Sequence, residues 1–447
     1  MPMPVASARQ EERGAGDLHA LARRLLSPKT GLIKRLQVLP RYSGQIPLAH
    51  VIASMADYAQ LPGGGAISQA GGSNFTVEAA FAQVLFEVLE RYCAAIVDPA
   101  ALVLSKPVST RHLWGDRLPL YAPCQYEQPG FIMRRLTAES LIYWTPGRSL
   151  LDGEVRLIPA SLVFLPYRPT FQDEWLGFSV STGMAASWTW AAACLTGLME
   201  VCERDAFTIM WMNRMSMPRL SVDDDPELAR QLQRVLADRD ASVTFVNLTN
   251  DYRVPVVLAV LESRLDGRRL VTVGMSSKRT FREAILKAFA EAVSDVERLR
   301  EQLAAPGPRW MPAPDFSNVT DFEWHSLVYT HPEYQHHLDF LTASPIEQAI
   351  PHETERSGSP GQVLVETLRE FERCGHDVVA VDLTTREVAD LGVAVVKIVV
   401  PEAVPINPDH RFPPLGHRRL YEVPRRLGYR KTDSTVAELN PMPHPFA

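Results

Sequence analysis

Glu87-Val88-Leu89-Glu90-Arg91 and Glu200-Val201-Cys202-Glu203-Arg204 repeat one five-residue pattern, ExxER, at two distant places in the chain. Each copy closes a helix-compatible run of small and apolar residues. Glutamates three apart share one helical face, where like charges repel by roughly a few tenths of a kcal/mol. Apolar neighbours crowd both pairs: Leu85, Phe86, Val88 and Leu89 at the first, Leu198, Met199, Val201 and Cys202 at the second. Buried charges need partners, so the repetition points to a cation held by the carboxylates. Oxygen-rich side chains from two helices suit Mg²⁺ and, through the metal, a nucleotide triphosphate. The competing reading is a pair of four-apart ion pairs, Glu87 with Arg91 and Glu200 with Arg204, on a solvated face.

Each acidic helix follows a segment of small residues. The stretch 61–74 is rich in Gly and Ser and leads into a helix over 76–98 that starts at Thr76. A strand over 175–181, the turn Thr182-Gly183-Met184 and a helix over 187–213 repeat the order. The turns Ala70-Gly71-Gly72-Ser73 and Thr182-Gly183-Met184 have backbone N–H groups that could face an anion. They serve equally as tight turns that need positive φ. Neither is a Walker A loop, and no GxGxxG occurs. A third set follows: strands over 243–248, 254–262 and 270–273, a turn over 274–277, then a helix over 280–303. That helix offers Glu291 as a further ligand, or else a charged solvated face shared with Glu283, Arg298 and Arg300. Recurring strand, Gly turn and helix imply an internal duplication within a mixed α/β fold.

The rest of the chain frames these units. Residues 1–16 read as a disordered lead, 17–60 as an N-terminal segment with a helix over 17–26, 61–430 as the main domain and 431–447 as a proline-rich tail. A helix over 361–374 and strands over 378–383 and 393–400 fall late in the domain. The alternating prolines 441, 443 and 445 favour an extended polyproline conformation suited to docking rather than a frayed end. His331, His336 and His337 match no metal-binding spacing and read as surface residues.

Composition narrows the function classes. The chain has 447 residues, 46% hydrophobic and 22% charged, with net charge −6. This is a globular composition with no general nucleic-acid surface and no apolar run that spans a membrane. The N-terminus lacks the apolar core of a signal peptide, and a cytoplasmic location is expected. The five cysteines, 93, 124, 194, 202 and 374, are scattered without CxxC and read as reduced, buried thiols, not a zinc site.

The sequence resembles the YcaO family. Its pattern of a Gly turn, a helix ending ExxER, a second turn and a helix ending ExxERDA is matched closely by Glu200-Val201-Cys202-Glu203-Arg204-Asp205-Ala206. Leu26-Ser27-Pro28-Lys29-Thr30-Gly31-Leu32, the late stretch 378–401 and the proline-rich tail are also similar. The likeness extends over nearly the whole chain and is greatest to the D component of azoline-forming cyclodehydratases. It implies a YcaO-type fold with an ATP cleft, and ATP and Mg²⁺ as cofactors. The implied reaction phosphorylates a backbone amide oxygen of a ribosomally made precursor peptide, so that Cys, Ser or Thr cyclises to thiazoline or oxazoline. Thioamide- and amidine-forming branches and a non-catalytic scaffold are the alternatives. By position, the resemblance gives Glu87, Glu90, Glu200, Glu203 and Glu291 to the metal. It gives Gly71, Gly72, Ser73, Gln83, Glu87, Glu90, Arg91, Thr182, Glu200, Glu203 and Arg204 to the nucleotide. Pro441, Pro443 and Pro445 take a part in catalysis. A separate leader-binding protein and a homodimer are the implied partners. Four positions depart from the family pattern: Gln83 replaces a common Ser, Ser73 a Lys, Thr182 an Asn, and Ala447 a terminal Pro.

Overall fold

The computed structural model of the chain describes residues 15–39, 48–57, 69–237, 240–265, 267–305, 309–351 and 355–446. Most of the expected lead, the Gly-rich residues 61–68 and Ala447 lie outside the described residues. The chain divides into two compact units. The first holds residues up to 40, 49–201 and 358–402; the second holds 41–48, 202–357 and 403–447.

The first unit contains two sheets. Strands Ile33–Val38, Ala49–Met55 and Gln69–Asn74 form an antiparallel meander. A six-stranded sheet runs Val103–Ser105, Ile142–Ser149, Val379–Asp382, Ala394–Val399, Met184–Ser187, with Val155–Pro159 paired to the second of these. The first acidic helix, Val77–Ala95, packs on the meander and on Met184–Ser187. It buries Ala80, Val84, Leu85, Val88, Leu89 and Cys93, which join Ile33, Val51, Ile158, Val379 and Val395 in one core. Its apolar positions thus recur at helical spacing, and burying that stripe is what makes the helix stable in context.

The second unit contains a five-stranded sheet, Arg268–Ser277, Val256–Leu265, Ala241–Asn247, Arg219–Leu220 and Glu347–Gln348, antiparallel except for the last pair. The third long helix, Phe281–Ala304, lies on its first two strands. The second acidic helix, Trp190–Met212, supplies Glu200 to the first unit and Glu203 to the second.

All three long helices start alike. Threonine hydroxyls of Thr76, Thr189 and Thr280 accept from the backbone N–H three residues on, at 3.2 Å in each case. Such a cap contributes about 1 kcal/mol and fixes the register of the helix. The register has a consequence. Glu87, Glu200 and Glu291 stand at the same distance along the chain from their respective caps. The same cap-to-glutamate spacing therefore recurs in all three helices.

Two local expectations are corrected. Residues 175–181 form no strand; the strand is Met184–Ser187, after the turn, because Gly183 takes φ +84° and Met184 N–H closes onto the Ser181 carbonyl at 2.7 Å. Residues 274–277 are not a turn but the end of a ten-residue strand paired with Val256–Ala259. Their smallness has another cause. A Cβ on Gly274 would lie 2.1 Å from the Ala288 carbonyl oxygen of the helix above it. Gly72 likewise lies in a strand, and a Cβ there would meet the Ala80 carbonyl oxygen at 2.1 Å. These glycines let helix backbone descend onto sheet. Gly274→Ala is expected to destabilise the second unit by about 2–3 kcal/mol through overpacking, read from the shift of the urea midpoint; an unshifted midpoint contradicts the close approach.

Candidate functional site

In the first unit the two Gly segments do the same thing. Gly71 N–H donates to Glu87 Oε2 at 3.2 Å, and Gly183 N–H donates to Glu200 Oε2 at 3.0 Å. Each segment's backbone therefore fixes the first glutamate of the following ExxER, rather than presenting that N–H to solvent. Glu87 also takes the Arg91 guanidinium at 2.6 Å, the four-apart pair expected from sequence. In the second copy Arg204 pairs with Glu203 at 3.4 Å.

Glu90 lies among these acids. Burial, then repulsion from Glu200 and Glu87, holds its carboxyl well above the usual carboxylate range, against the opposing pull of Arg91 and Lys397. Three glutamates of the first unit, Glu87, Glu90 and Glu200, thus share one electrostatic neighbourhood with net negative character. Lys397 belongs to it and was not among the expected site residues. It lies on strand Ala394–Val399, is only 4% exposed, and donates to the Val180 carbonyl at 2.6 Å. Burial lowers its ammonium to about 8, opposed by Glu200 and Glu90. A lone lysine within Val395-Val396-Lys397-Ile398-Val399 was the available signal, since a charge in an otherwise apolar strand needs a buried partner.

Other first-unit positions have defined surroundings. Ser73 Oγ bonds His50 Nδ1 at 2.8 Å. Gln83 Oε1 is buried with no hydrogen-bond partner. Thr182 is half-buried beside Gly183.

In the second unit, Glu203 is buried and accepts from Ser277 N–H at 3.0 Å. Glu291 pairs with Lys287 at 3.2 Å, and its Oε2 is buried without a hydrogen-bond partner. The Arg204 guanidinium lies 4.3 Å from the centroid of the Phe446 ring. That contact belongs to a tail docked along its length. Trp211 Nε1–H donates to the Met442 carbonyl at 3.1 Å, Tyr329 O–H to that of Pro443, and Asn440 N–H to that of Met212 at 2.7 Å. Pro443 and Pro445 are buried while Pro441 is exposed. The prolines hold the carbonyls in place without donating, and the residues between them supply the anchors.

His444 is one such anchor. Its ring stacks on His325 at 3.8 Å, and its Nε2–H donates to the Asn407 carbonyl at 2.9 Å. His325 and His410 complete a buried histidine cluster that sequence reading missed in favour of 331, 336 and 337. Burial lowers His444 to about 3 and His410 to about 4. Unfolded imidazoles protonate near their ordinary value of about 6.5. Between there and about 3, the unfolded state binds more protons, so stability falls as pH falls through this window. Acid unfolding followed by tryptophan fluorescence is expected to show this slope, and His444→Asn to flatten it; an unchanged slope contradicts the docked tail.

The cysteines depart from expectation in one respect. Cys93, Cys194 and Cys202 are buried and Cys374 is intermediate, but Cys124 is exposed.

The donor chemistry fits a magnesium-bound nucleotide. Carboxylates are the ligands Mg²⁺ prefers, and three of them, Glu87, Glu90 and Glu200, interact electrostatically in the first unit. The unpartnered buried Gln83 Oε1 adds a polar group of the first unit with unused capacity. Among the described residues no three acidic, His or Cys side chains already converge in a closed metal cage.

The YcaO family, described as YcaO cyclodehydratases binding ATP and Mg²⁺, matches residues 71–404. The chain belongs to this ATP- and Mg²⁺-binding family. An uncharacterized protein of Methanothermobacter thermautotrophicus is 27% identical over 356 residues, 77% of this chain and 84% of that protein. A solved heterocyclase in complex with substrate and cofactor has a TM-score of 0.79 at 22% identity, covering 97% of this chain and 57% of the other. The YcaO protein of Methanopyrus kandleri bound with AMPPCP and Mg²⁺ has a TM-score of 0.61 at 20% identity, covering 87% of this chain and 90% of that one. These two likenesses show a shared mixed α/β fold. The chain spans little more than half the length of the heterocyclase.

Proposed function

We propose that this protein is an ATP- and Mg²⁺-dependent cyclodehydratase that converts Cys, Ser or Thr of a ribosomally made precursor peptide to thiazoline or oxazoline. The observation that carries the reading is the matched pair of backbone bonds, Gly71 to Glu87 and Gly183 to Glu200, which orient the two ExxER motifs alike. Support comes from the family to which the chain belongs and from the heterocyclase of like fold, whose structure holds substrate and cofactor.

In this reading Glu87, Glu90 and Glu200 of the first unit hold the metal. Gly71, Gly72, Ser73, Gln83, Arg91, Thr182 and Arg204 stand on the nucleotide side. ATP, when bound, supplies the phosphoryl group that turns a backbone amide oxygen, a poor leaving group, into phosphate, a good one. The chain's own residues position charge and exclude water; phosphoryl transfer demands little else of a protein. Arg204 is held by Glu203 on one side and the Phe446 ring on the other, which limits the guanidinium's freedom. Pro441, Pro443 and Pro445 act by keeping the tail, and with it Phe446, in place. A separate leader-binding protein and a homodimeric state complete the proposal.

The test is the purified chain with precursor peptide and leader-binding partner. Phosphate release with loss of one water from the peptide is the expected result. Phosphate release with gain of sulfur, or with ring closure by an amine, assigns the thioamide or amidine branch instead. No nucleotide binding at all would overturn the enzymatic reading in favour of a scaffold.

A further inference from the structure

We propose that Lys397 is a positioning residue of the nucleotide site, a built-in cation that sets the charge of the acid cluster and ties down the turn beneath Glu200. The inference rests on the cyclodehydratase reading and deepens it. Strand Ala394–Val399 is internal to its sheet, with Val379–Asp382 on one side and Met184–Ser187 on the other. Lys397 faces Met184 in register, next to the turn. Two bonds from this strand hold the turn's ends. Lys397 Nζ donates to the Val180 carbonyl at 2.6 Å, and Ile398 N–H donates to the Gly183 carbonyl at 2.7 Å. Gly183 in turn donates to Glu200. The lysine therefore acts on Glu200 through the field of its ammonium, while its strand, through Ile398 N–H, holds the Gly183 that donates to Glu200.

That field has a specific effect. Glu90 and Glu200 both interact with the Lys397 charge. A lysine fixed in a buried, internal strand cannot move away when a metal arrives and, while protonated, keeps a positive charge beside the acids. It lowers the attraction of the acids for a bare divalent ion and leaves room for one accompanied by the compensating negative charge of nucleotide phosphates. The cluster is thereby tuned to the metal–nucleotide complex instead of the free ion.

Mn²⁺ alone is the probe, titrated without nucleotide by calorimetry or electron paramagnetic resonance. Lys397→Met is expected to bind Mn²⁺ on the order of tenfold more tightly than wild type, with a raised KM for ATP. Lys397→Arg, which keeps the charge, should retain wild-type Mn²⁺ affinity. A purely packing role would lower the melting temperature of Lys397→Met without tightening the metal. Should Lys397→Met not fold, E90Q/K397M preserves the cluster's net charge and is compared with E90Q; tighter Mn²⁺ binding by the double variant carries the proposal. Unchanged or weaker Mn²⁺ binding in either folded comparison overturns it. Failure of wild type to bind nucleotide strikes the proposed function instead, and is read from a separate ATP titration.

Discussion

Glu200→Gln is expected to yield a folded protein whose ATP turnover is severely reduced. The amide's carbonyl oxygen can still accept from Gly183 N–H, so the turn keeps its anchor. What disappears is one negative charge from the neighbourhood of Glu90 and Lys397. A carboxylate that ligates Mg²⁺ contributes through its charge, which a neutral amide lacks. Loss of one electrostatic element of this kind reduces kcat by about 10²–10³-fold. Phosphate release in the presence of precursor peptide measures it, with a melting curve beside it to show an intact fold. Glu87→Gln is expected to fail in the same way, although Glu87 also serves the partly exposed Arg91 pair. Near-normal phosphate release by either variant removes that glutamate from the metal site.

Much of this arrangement was legible in residues alone because it is local. ExxER on a helix, a Thr at a helix start and a run of small residues before it each act within a few turns of chain. The boundaries of the three long helices followed from apolar spacing, with a threonine start read at Thr76, and the structure moved them by only a few residues. The equal spacing from Thr76 to Glu87, Thr189 to Glu200 and Thr280 to Glu291 was present in the sequence too. What stayed hidden depended on partners distant in the chain. Gly274 looked like a turn residue; its reason is the Ala288 carbonyl above it. Lys397 looked like one charge in a strand; its reason is a carbonyl at Val180 and two carboxylates on separate helices. His444 was not singled out in the sequence; its reason is the stacked ring of His325. Removal of the whole tail would accordingly cost packing as well as any catalytic part, so single substitutions in it discriminate better than truncation.

The largest stability loss is expected at Arg419. The ExxER pattern continues into Asp205, which is fully buried, and Arg419 meets it with two bonds, Nε to Oδ1 at 2.9 Å and Nη2 to Oδ2 at 2.6 Å. The same guanidinium reaches Asp251 at 2.7 and 3.0 Å and lies 3.9 Å from the centroid of the Tyr252 ring. Asp205 also accepts from Asn250 Nδ2 at 2.8 Å and from Val404 N–H at 2.9 Å. This network ties the segment bearing Glu203 and Arg204 to the helix Arg419–Arg426. Arg419→Met leaves the Asp205 carboxylate buried beside amide donors but without its cation, which costs about 3–5 kcal/mol. Lysine cannot reproduce the two-pronged bond or the planar stacking, so Arg419→Lys should recover only part of the loss. Urea unfolding measures both. The double variant Asp205→Asn/Arg419→Met separates a buried pair from two independent contacts: because the damage in each single variant is an orphaned charge, the double should lose less than the sum of the singles. Strict additivity would mean that Asp205 draws its compensation from Asn250 and Val404, and that the arginine acts chiefly through Asp251 and Tyr252.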